Sequence, residues 1–288
     1  MMKKAKVPLI ERENVAYVVG EAAVQLAYTL QLDLRRPMKD GCLNPAEKDA
    51  FRILSIMIHS LIGECNTDKE VLYYSVPANA VNQETDADYH QKVLEDVFRK
   101  YKVNNKTVEA HPINEALALI FAELAAKQYT GIGMSFGAGM VNVCYAKWST
   151  PVFSISSVNS GDWIDKMAAK ATGESPTVIN REKTKVDLTK APTNLVERAI
   201  QSQYRILVEK TIQTIKTSLV EQGNKVRTEV PLDIVIGGGT ACPNGFEDMV
   251  KECIEEAKFP IPLGEITKPK DHLYAVARGC LCAAENAA

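Results

Sequence analysis

An α/β fold is predicted by three observations. Short apolar runs bounded by glycine or proline alternate with stretches of helical periodicity, two of those runs end in glycine-dense turns, and the composition is that of an average globular protein. Of the 288 residues, 46% are apolar and 24% charged, with a formal net charge of -2, which excludes disordered, collagen-like and coiled-coil chains. The length suits one large or two ordinary domains.

The elements follow in order. The run Val15-Ala16-Tyr17-Val18-Val19 ends at Gly20, and a helical pattern covers residues 21–30, so strand, turn and helix are expected. After Asp40-Gly41, the pair Asn44-Pro45 with Glu47 three residues beyond Asn44 predicts a helix that opens there and runs to about residue 61. Residues 70–76, closed by Pro77, read as a buried strand. A polar-faced helix is expected over 89–101, a short strand over 107–110 and a strongly apolar helix over 113–128. Residues 131–146 read as a hairpin with Gly137-Ala138-Gly139 at its turn, and 152–156 as a third strand. Ser160-Gly161-Asp162 then caps a helix from Trp163 onward.

Further helices are expected over 181–186 and 194–221, the second long and amphipathic. The apolar run 232–236 leads into Gly237-Gly238-Gly239-Thr240, Pro243-Asn244-Gly245 precedes a helix over 246–257, and a short strand near Ile261 and a small-residue helix over 271–287 close the chain. If there are two domains, they meet near 125–131 and again near 268–272.

Several function classes fall away. Lysine and arginine are spread along a nearly neutral chain, which gives no electrostatic reason to expect nucleic acid as a partner. No run approaches the roughly 18 consecutive apolar residues of a membrane helix, and the apolar stretch near the start is too short for a signal sequence. The seven cysteines are odd in number and lack C-x-x-C spacing; Cys280 and Cys282 lie in an alanine-rich segment and read as buried thiols in a reducing cytoplasm. His59, His90, His111 and His272 stand far apart, so a metal held directly by protein ligands is not expected.

The two glycine turns carry the chemistry. A glycine lets backbone N–H groups approach an anion closely, and successive N–H groups form an anion-binding nest. A nucleotide held between two domains is the natural expectation, although ordinary turns after strands are also glycine-rich. Neither turn is G-x-x-x-x-G-K-[ST] or G-x-G-x-x-G, which argues against a P-loop and a Rossmann site.

The order of segments adds a further signal: Arg35-Arg36-Pro37-Met38-Lys39-Asp40-Gly41, Val76-Pro77-Ala78, Ile113-Asn114-Glu115-Ala116-Leu117-Ala118, Gly137-Ala138-Gly139, Ser160-Gly161-Asp162-Trp163-Ile164-Asp165, Arg181-Glu182-Lys183-Thr184-Lys185, Gly237-Gly238-Gly239-Thr240 and Ala275-Val276-Ala277-Arg278-Gly279. This order resembles the actin-like ATPase superfamily, which takes in bacterial actins such as MreB, the ATPase domain of the large heat-shock chaperones, and sugar kinases. The first and last segments bring the chain nearest to the MreB branch, and the resemblance spans nearly all of it. It implies a two-lobed, ribonuclease H-like α/β fold with mixed five-stranded sheets, and ATP with Mg²⁺ in the cleft. The first lobe is expected over 1–127, completed by the closing helix 271–288, and the second over 128–270.

On that template, Gly137, Ala138 and Gly139 form the second phosphate loop, Gly161 and Asp162 lie near the cleft, and Gly237, Gly238, Gly239 and Thr240 form the adenosine loop. Glu182 and Lys185, three apart, match the pair beside the ribose and base. Glu115 matches the residue that orients the attacking water, a general-base or positioning role; read without the resemblance, it is an exposed residue at a helix start.

Two departures from the pattern shape the expected function. No D-x-G-T occurs, so the first phosphate hairpin is expected to be missing and the first lobe incomplete at its amino-terminal end. The aspartate that normally precedes the second loop's glycines, and whose carboxylate holds Mg²⁺ through water, is Ser135; Met140, Val141 and Asn142 replace the threonines and acid that follow. Phosphoryl transfer depends on positioning and charge neutralisation, and one lost electrostatic contact costs roughly 10²–10³ in rate, so hydrolysis is expected to be slow or absent. The expectation is an ATP-binding cytoskeletal protein whose nucleotide controls self-association into filaments, with Mg²⁺ held through phosphates and water and membrane contact left open. The alternatives are a non-hydrolysing scaffold and a chaperone-type ATPase. A sugar kinase is weaker, since only Asp162 offers a catalytic acid.

Overall fold

The computed structural model describes residues 9–12, 15–30, 32, 34–63, 70–100, 102–103, 106–226, 228 and 230–287. The start of the chain, up to residue 8, and Cys65 lie outside the described residues. A hairpin of β1 (Ile10–Arg12) and β2 (Val15–Tyr17) leads to α1 (Glu21–Leu30). A second hairpin, β3 (Met38–Lys39) and β4 (Cys42–Leu43), turns at Asp40-Gly41, where both residues take positive φ.

The helix expected from Asn44 starts later, as α2 (Ala50–Ile62). The Asn44 side chain accepts from Ala46 N inside a local turn, and the Glu47 carboxylate is taken by Arg35, so the capping box never forms. Next come β5 (Val71–Val76), α3 (Ala87–Lys100), the short pair β6 (Lys102–Val103) and β7 (Lys106–Thr107), β8 (Glu109–Asn114) and α4 (Glu115–Glu123). Asn114 caps α4 by accepting from Ala116 N and Leu117 N. The strands β5 and β8 pair in parallel.

The remaining strands are β9 (Gly131–Phe136), β10 (Val141–Lys147), β11 (Thr150–Ser157), β12 (Leu232–Gly237) and β13 (Leu263–Thr267). They form one mixed sheet in the order β11-β10-β9-β12-β13, antiparallel from β11 to β9 and parallel from β9 to β13. The helices of this part are α5 (Gly161–Thr172), α6 (Pro176–Lys183), α7 (Leu195–Gln222), α8 (Phe246–Ala257) and α9 (Ala275–Ala287). The sequence places α6 too late: Ser175 caps it by accepting from Val178 N, Pro176 fills its first turn, and it ends before Lys185.

Alternation along β9 explains the layering. Ile132, Met134 and Phe136 point to one face, where they pack with Ile164 of α5, Ile179 of α6, Leu207 of α7 and Phe246 of α8 in the main core. Full burial of each such side chain contributes about 1.5–3 kcal/mol. Gly131, Gly133 and Ser135 point to the other face, against which α4 and α9 lie with Cys144, Ala146 and Val235. The small residues are required there: a Cβ on Gly133 would collide with the Ala116 carbonyl, and one on Gly279 with the Ala118 carbonyl, so backbones meet directly where α9 crosses α4.

Beyond α4 and α9 lie β5 and β8, and beyond those a smaller core of Leu54, Tyr74, Val76, Leu94 and Phe98. The mixed five-stranded sheet and the overall α/β organisation are those expected from the sequence.

Candidate functional site

Three loops converge at one end of the five-stranded sheet. The turn after β9 is closed by Gly137 N donating to Met140 O at 2.9 Å. The carbonyls of this turn then collect the other two loops: Gly161 N donates to Gly137 O at 3.1 Å, Asp162 N to Ala138 O at 2.8 Å, Ser160 Oγ to Ala138 O at 2.5 Å and Thr240 Oγ1 to Gly137 O at 2.8 Å. The parallel pairing of β9 with β12 forces this meeting, because Phe136 and Gly237 end their strands side by side. In open α/β sheets, ligands bind outside the carboxyl ends of strands in such a crevice.

Glycine is needed at each close approach. A Cβ at Gly161 would run into the Thr240 hydroxyl, and one at Gly139 into the backbone of Gly41, so the Asp40-Gly41 turn rests directly on Gly139. Gly238 has φ +92°, its N–H donates to His272 O at 3.2 Å, and a Cβ there would strike the Phe136 carbonyl. Met140, where the resemblance expects a threonine, is buried with Cys42 and Ala87 under this turn.

The structure also brings in residues that sequence reasoning missed. Lys183 is buried; its Nζ donates to Gly161 O at 2.8 Å and pairs with Asp165 at 2.7 Å, while Asn180 Nδ2 donates to the other Asp165 oxygen at 2.8 Å. This anchors the start of α5, and with it Gly161 and Asp162, to α6. In the sequence Lys183 is one of several basic residues in its segment, and its spacing four residues after the apolar Ile179, which is fully buried, is the one feature that sets it apart.

Glu115 is engaged rather than exposed. Its carboxylate accepts from Ser135 Oγ at 2.6 Å and from Asn142 Nδ2 at 3.0 Å; Asn142 Oδ1 in turn accepts from Ser156 Oγ at 2.5 Å, and Ser156 Oγ accepts from Ala78 N at 3.1 Å. Burial pushes the Glu115 carboxyl above its ordinary range, against the lowering effect of the Ser135 hydrogen bond. The neutral residues that stand where acids were expected, Ser135 and Asn142, are thus the partners of Glu115. The chain of hydrogen bonds runs from the five-stranded sheet to the loop after β5.

Asp162 faces Arg36 across 3.5 Å. Glu182 pairs with Lys185 at 3.0 Å and with Arg181 at 3.1 Å, which hold its carboxyl below the usual range. Glu182 and Lys185 line a cavity of about 290 Å³ with Val186, Asn194 and Glu197. Among the described residues, their side chains hydrogen-bond to one another and to Arg181, not to the three convergent loops. The Cβ atoms excluded at Gly139, Gly161 and Gly238 would meet protein atoms of the neighbouring loops and strand, whereas one at Gly239 would meet only Leu273, at 3.7 Å. Asp162 and Asp40 both belong to segments that touch the second glycine turn, while the Glu115 carboxylate is occupied by Ser135 and Asn142.

A family model described as Volactin matches residues 1–284. The chain belongs to the Volactin family.

A search of curated proteins finds none that matches. Among solved structures, this Volactin-family chain is similar to the MamK double helical filament, with 19% identity, 90% of this chain and 84% of that chain covered, and a TM-score of 0.70. It is similar to MreB 5 of Spiroplasma citri bound to AMPPNP, with 16% identity, coverage of 96% and 86%, and a TM-score of 0.68. It is also similar to the ethanolamine utilization protein EutJ from Carboxydothermus hydrogenoformans, with 15% identity, coverage of 87% and 79%, and a TM-score of 0.55. These likenesses establish the fold: the Volactin-family chain is actin-like and close to MreB in architecture. Among the described residues, no helix is long and apolar enough to cross a membrane.

Proposed function

We propose that this protein is a cytoplasmic, actin-like ATP-binding protein whose copies assemble into filaments under nucleotide control, with hydrolysis slow or absent. The observation that carries the reading is the convergence of Gly137-Ala138-Gly139, Gly161-Asp162 and Gly237 to Thr240 on one end of the sheet, joined by hydrogen bonds between loops more than 100 residues apart. Phosphates would meet the glycine turns, adenosine the loop from Gly237, and Mg²⁺ would be held through phosphates and water. Likeness to a MamK filament and to an AMPPNP-bound MreB supports assembly and the nucleotide. The proposed lobes are residues 1–127 with the closing helix, and 128–270; the packing of α9 on α4 and β5 supports returning the last helix to the first lobe.

One observation favours a second reading, a binding or scaffold module with no turnover. Glu115, the candidate for orienting water, spends both carboxylate oxygens on Ser135 and Asn142, and burial favours its protonated form.

Calorimetric titration with ATP, with and without Mg²⁺, tests the site against a Gly238→Asp variant, with circular dichroism to check folding. Micromolar binding lost in a folded variant is expected; no heat from the native chain would remove the nucleotide from the reading. Light scattering with ATP then separates the readings: assembly with little phosphate release supports the first, and no assembly under any nucleotide supports the scaffold.

A further inference from the structure

Cys242 and His272 stand 30 residues apart in the chain and meet at the rim of the proposed adenosine loop, with Cys242 Sγ 3.2 Å from His272 Nε2. The other ring nitrogen, Nδ1, lies 3.2 Å from the Pro269 carbonyl. A carbonyl only accepts, so Nδ1 carries the proton, and Nε2 of the neutral ring is left as the acceptor for the thiol S–H. A nucleophile, a base and a group that orients the base are therefore in place. The cysteine is also reachable: it is exposed, whereas Cys42, Cys144, Cys253 and Cys280 are buried.

The pair is built into the loop itself. Cys242 follows the turn Gly239–Ala241 and donates its N–H to Gly239 O at 3.3 Å, while the His272 carbonyl accepts from Gly238 N at 3.2 Å. Lys268, whose Nζ donates to Ala241 O at 3.1 Å, and the Tyr204 hydroxyl lie within electrostatic reach of Cys242, and Asp271, next to His272 in the chain, is held by Arg278. Burial raises the Cys242 thiol while Lys268 lowers it, so the resting sulfur is a thiol within hydrogen-bond distance of the imidazole.

We propose that Cys242 is a modification site, a thiol activated by His272 that forms a mixed disulfide with a low-molecular-weight disulfide and thereby controls the loop proposed to hold adenosine. In the step, the Cys242 S–H proton passes to His272 Nε2, and the sulfur attacks one sulfur of R–S–S–R. The R–S–S–R bond breaks, the Cys242–S–S–R bond forms, and the departing thiolate takes the proton from the imidazolium and leaves as R–SH. Excess thiol reverses it. The adduct occupies the rim beside Gly239 to Ala241 and displaces His272 from Cys242. Control of the loop rests on the nucleotide reading above; the reactivity of the thiol does not.

The full chain is incubated with oxidised glutathione, and each cysteine is followed by peptide mass mapping between pH 5 and 9. Cys242 is expected to be modified first. His272→Gln is expected to slow Cys242 at least tenfold at pH 7 and to restore a rate that climbs tenfold per pH unit, as for an unassisted thiol. Equal rates in the two proteins, or modification of Cys282 ahead of Cys242, would overturn the assignment, and the order of labelling in the native chain tests it without any variant. ATP titration of the modified chain is expected to show at least tenfold weaker binding than the reduced chain. Equal binding would overturn control of the loop. If the reduced chain binds no ATP at all, control of the loop falls with the nucleotide reading, and the labelling rates still decide whether Cys242 is the activated thiol.

Discussion

Every residue of β9 and all but the last of β10 are buried, whereas in the parallel pair β5 and β8 only Tyr74, Val76 and Ile113 are buried fully. Cover accounts for the contrast. The five-stranded sheet is sandwiched between four helices on its bulky face and α4 with α9 on its glycine face, so its central strands have no exposed edge or face. Among the described residues the sheet of β5 and β8 is two strands wide, and its hydrophobic core is correspondingly small. The site takes its rigid parts, the turns after β9 and β12, from the well-covered sheet. The Asp40-Gly41 turn that rests on Gly139, and Ala78, which reaches Ser156, come from the thinner part.

The contrast is broken most severely at the joint. Gly279→Val places a branched side chain where α9 and α4 touch backbone to backbone, and α9 also packs on β5, so both cores lose their common layer. We expect a loss of about 4 kcal/mol or more, read as a collapse of the urea midpoint or failure to fold. A loss below about 1 kcal/mol would mean that the two helices can slide apart freely and that the cores are independent.

Lys183→Met confines the damage to the five-stranded part. It leaves Asp165 buried without its cation and the Gly161 carbonyl without its donor, at an expected cost of about 3 kcal/mol. Proton exchange should quicken at the start of α5 while α3 keeps its native rates. Equal acceleration in both would deny the separation.

Glu115 tests the bond between the parts through pH. Its folded carboxyl is raised by burial, so between the unfolded value near 4.3 and the folded one the native state holds a proton that the unfolded chain has released. Stability from this group is therefore greatest below the unfolded value and declines as pH rises through that window. Glu115→Gln can accept from Asn142 and donate to Ser135, so it is expected to stay within about 1 kcal/mol of the native chain at pH 4 and to gain on it toward pH 7. Glu115→Ala, which strands both partners, should lose about 2 kcal/mol. A native-minus-Gln difference that is flat with pH would place the carboxyl in water.

Legibility in the sequence followed the same division. The hairpin 131–146, the strand before Gly237 and the helix from Phe246 stood out because their residues are buried by regular alternation or bounded by glycine. Starts that depend on a single side chain's choice were misplaced. Asn44 resembles a cap, but Arg35 captures Glu47 from 12 residues away, and Ser175-Pro176 starts α6 ahead of the basic run that drew attention. Gly137, Gly161 and Thr240 could be named as loop residues but not seen to touch. The partnership of Glu115 with Ser135 and Asn142 was hidden because the serine and the asparagine were each read as a departure from a pattern and Glu115 as a match to it, not as partners of one another.

The finest comparison uses one hydroxyl in each core. Tyr145, in β10, and Tyr74, in β5, both bury their phenolic oxygens without a hydrogen-bond partner among the described residues, and burial raises both groups, Tyr74 to about 12. Each ring is nonetheless well placed: Tyr145 lies edge-on to Phe153 with centroids 6.0 Å apart, and Tyr74 is tilted against Phe98 at 4.6 Å. An unpaired buried hydroxyl costs roughly 1–3 kcal/mol, partly offset by the packing of its oxygen. Phenylalanine keeps the ring and removes the cost, so Tyr145→Phe and Tyr74→Phe should each leave stability unchanged or raise it by up to about 1 kcal/mol. The gain should be larger at Tyr145, which is fully enclosed, than at Tyr74, whose residue retains 8% exposure. Urea midpoints measured for both variants decide the point. A reversed order would show that the thinner core seals its interior more completely than the sheet that carries the glycine turns, and a loss at either position would reveal a partner for that hydroxyl in solution.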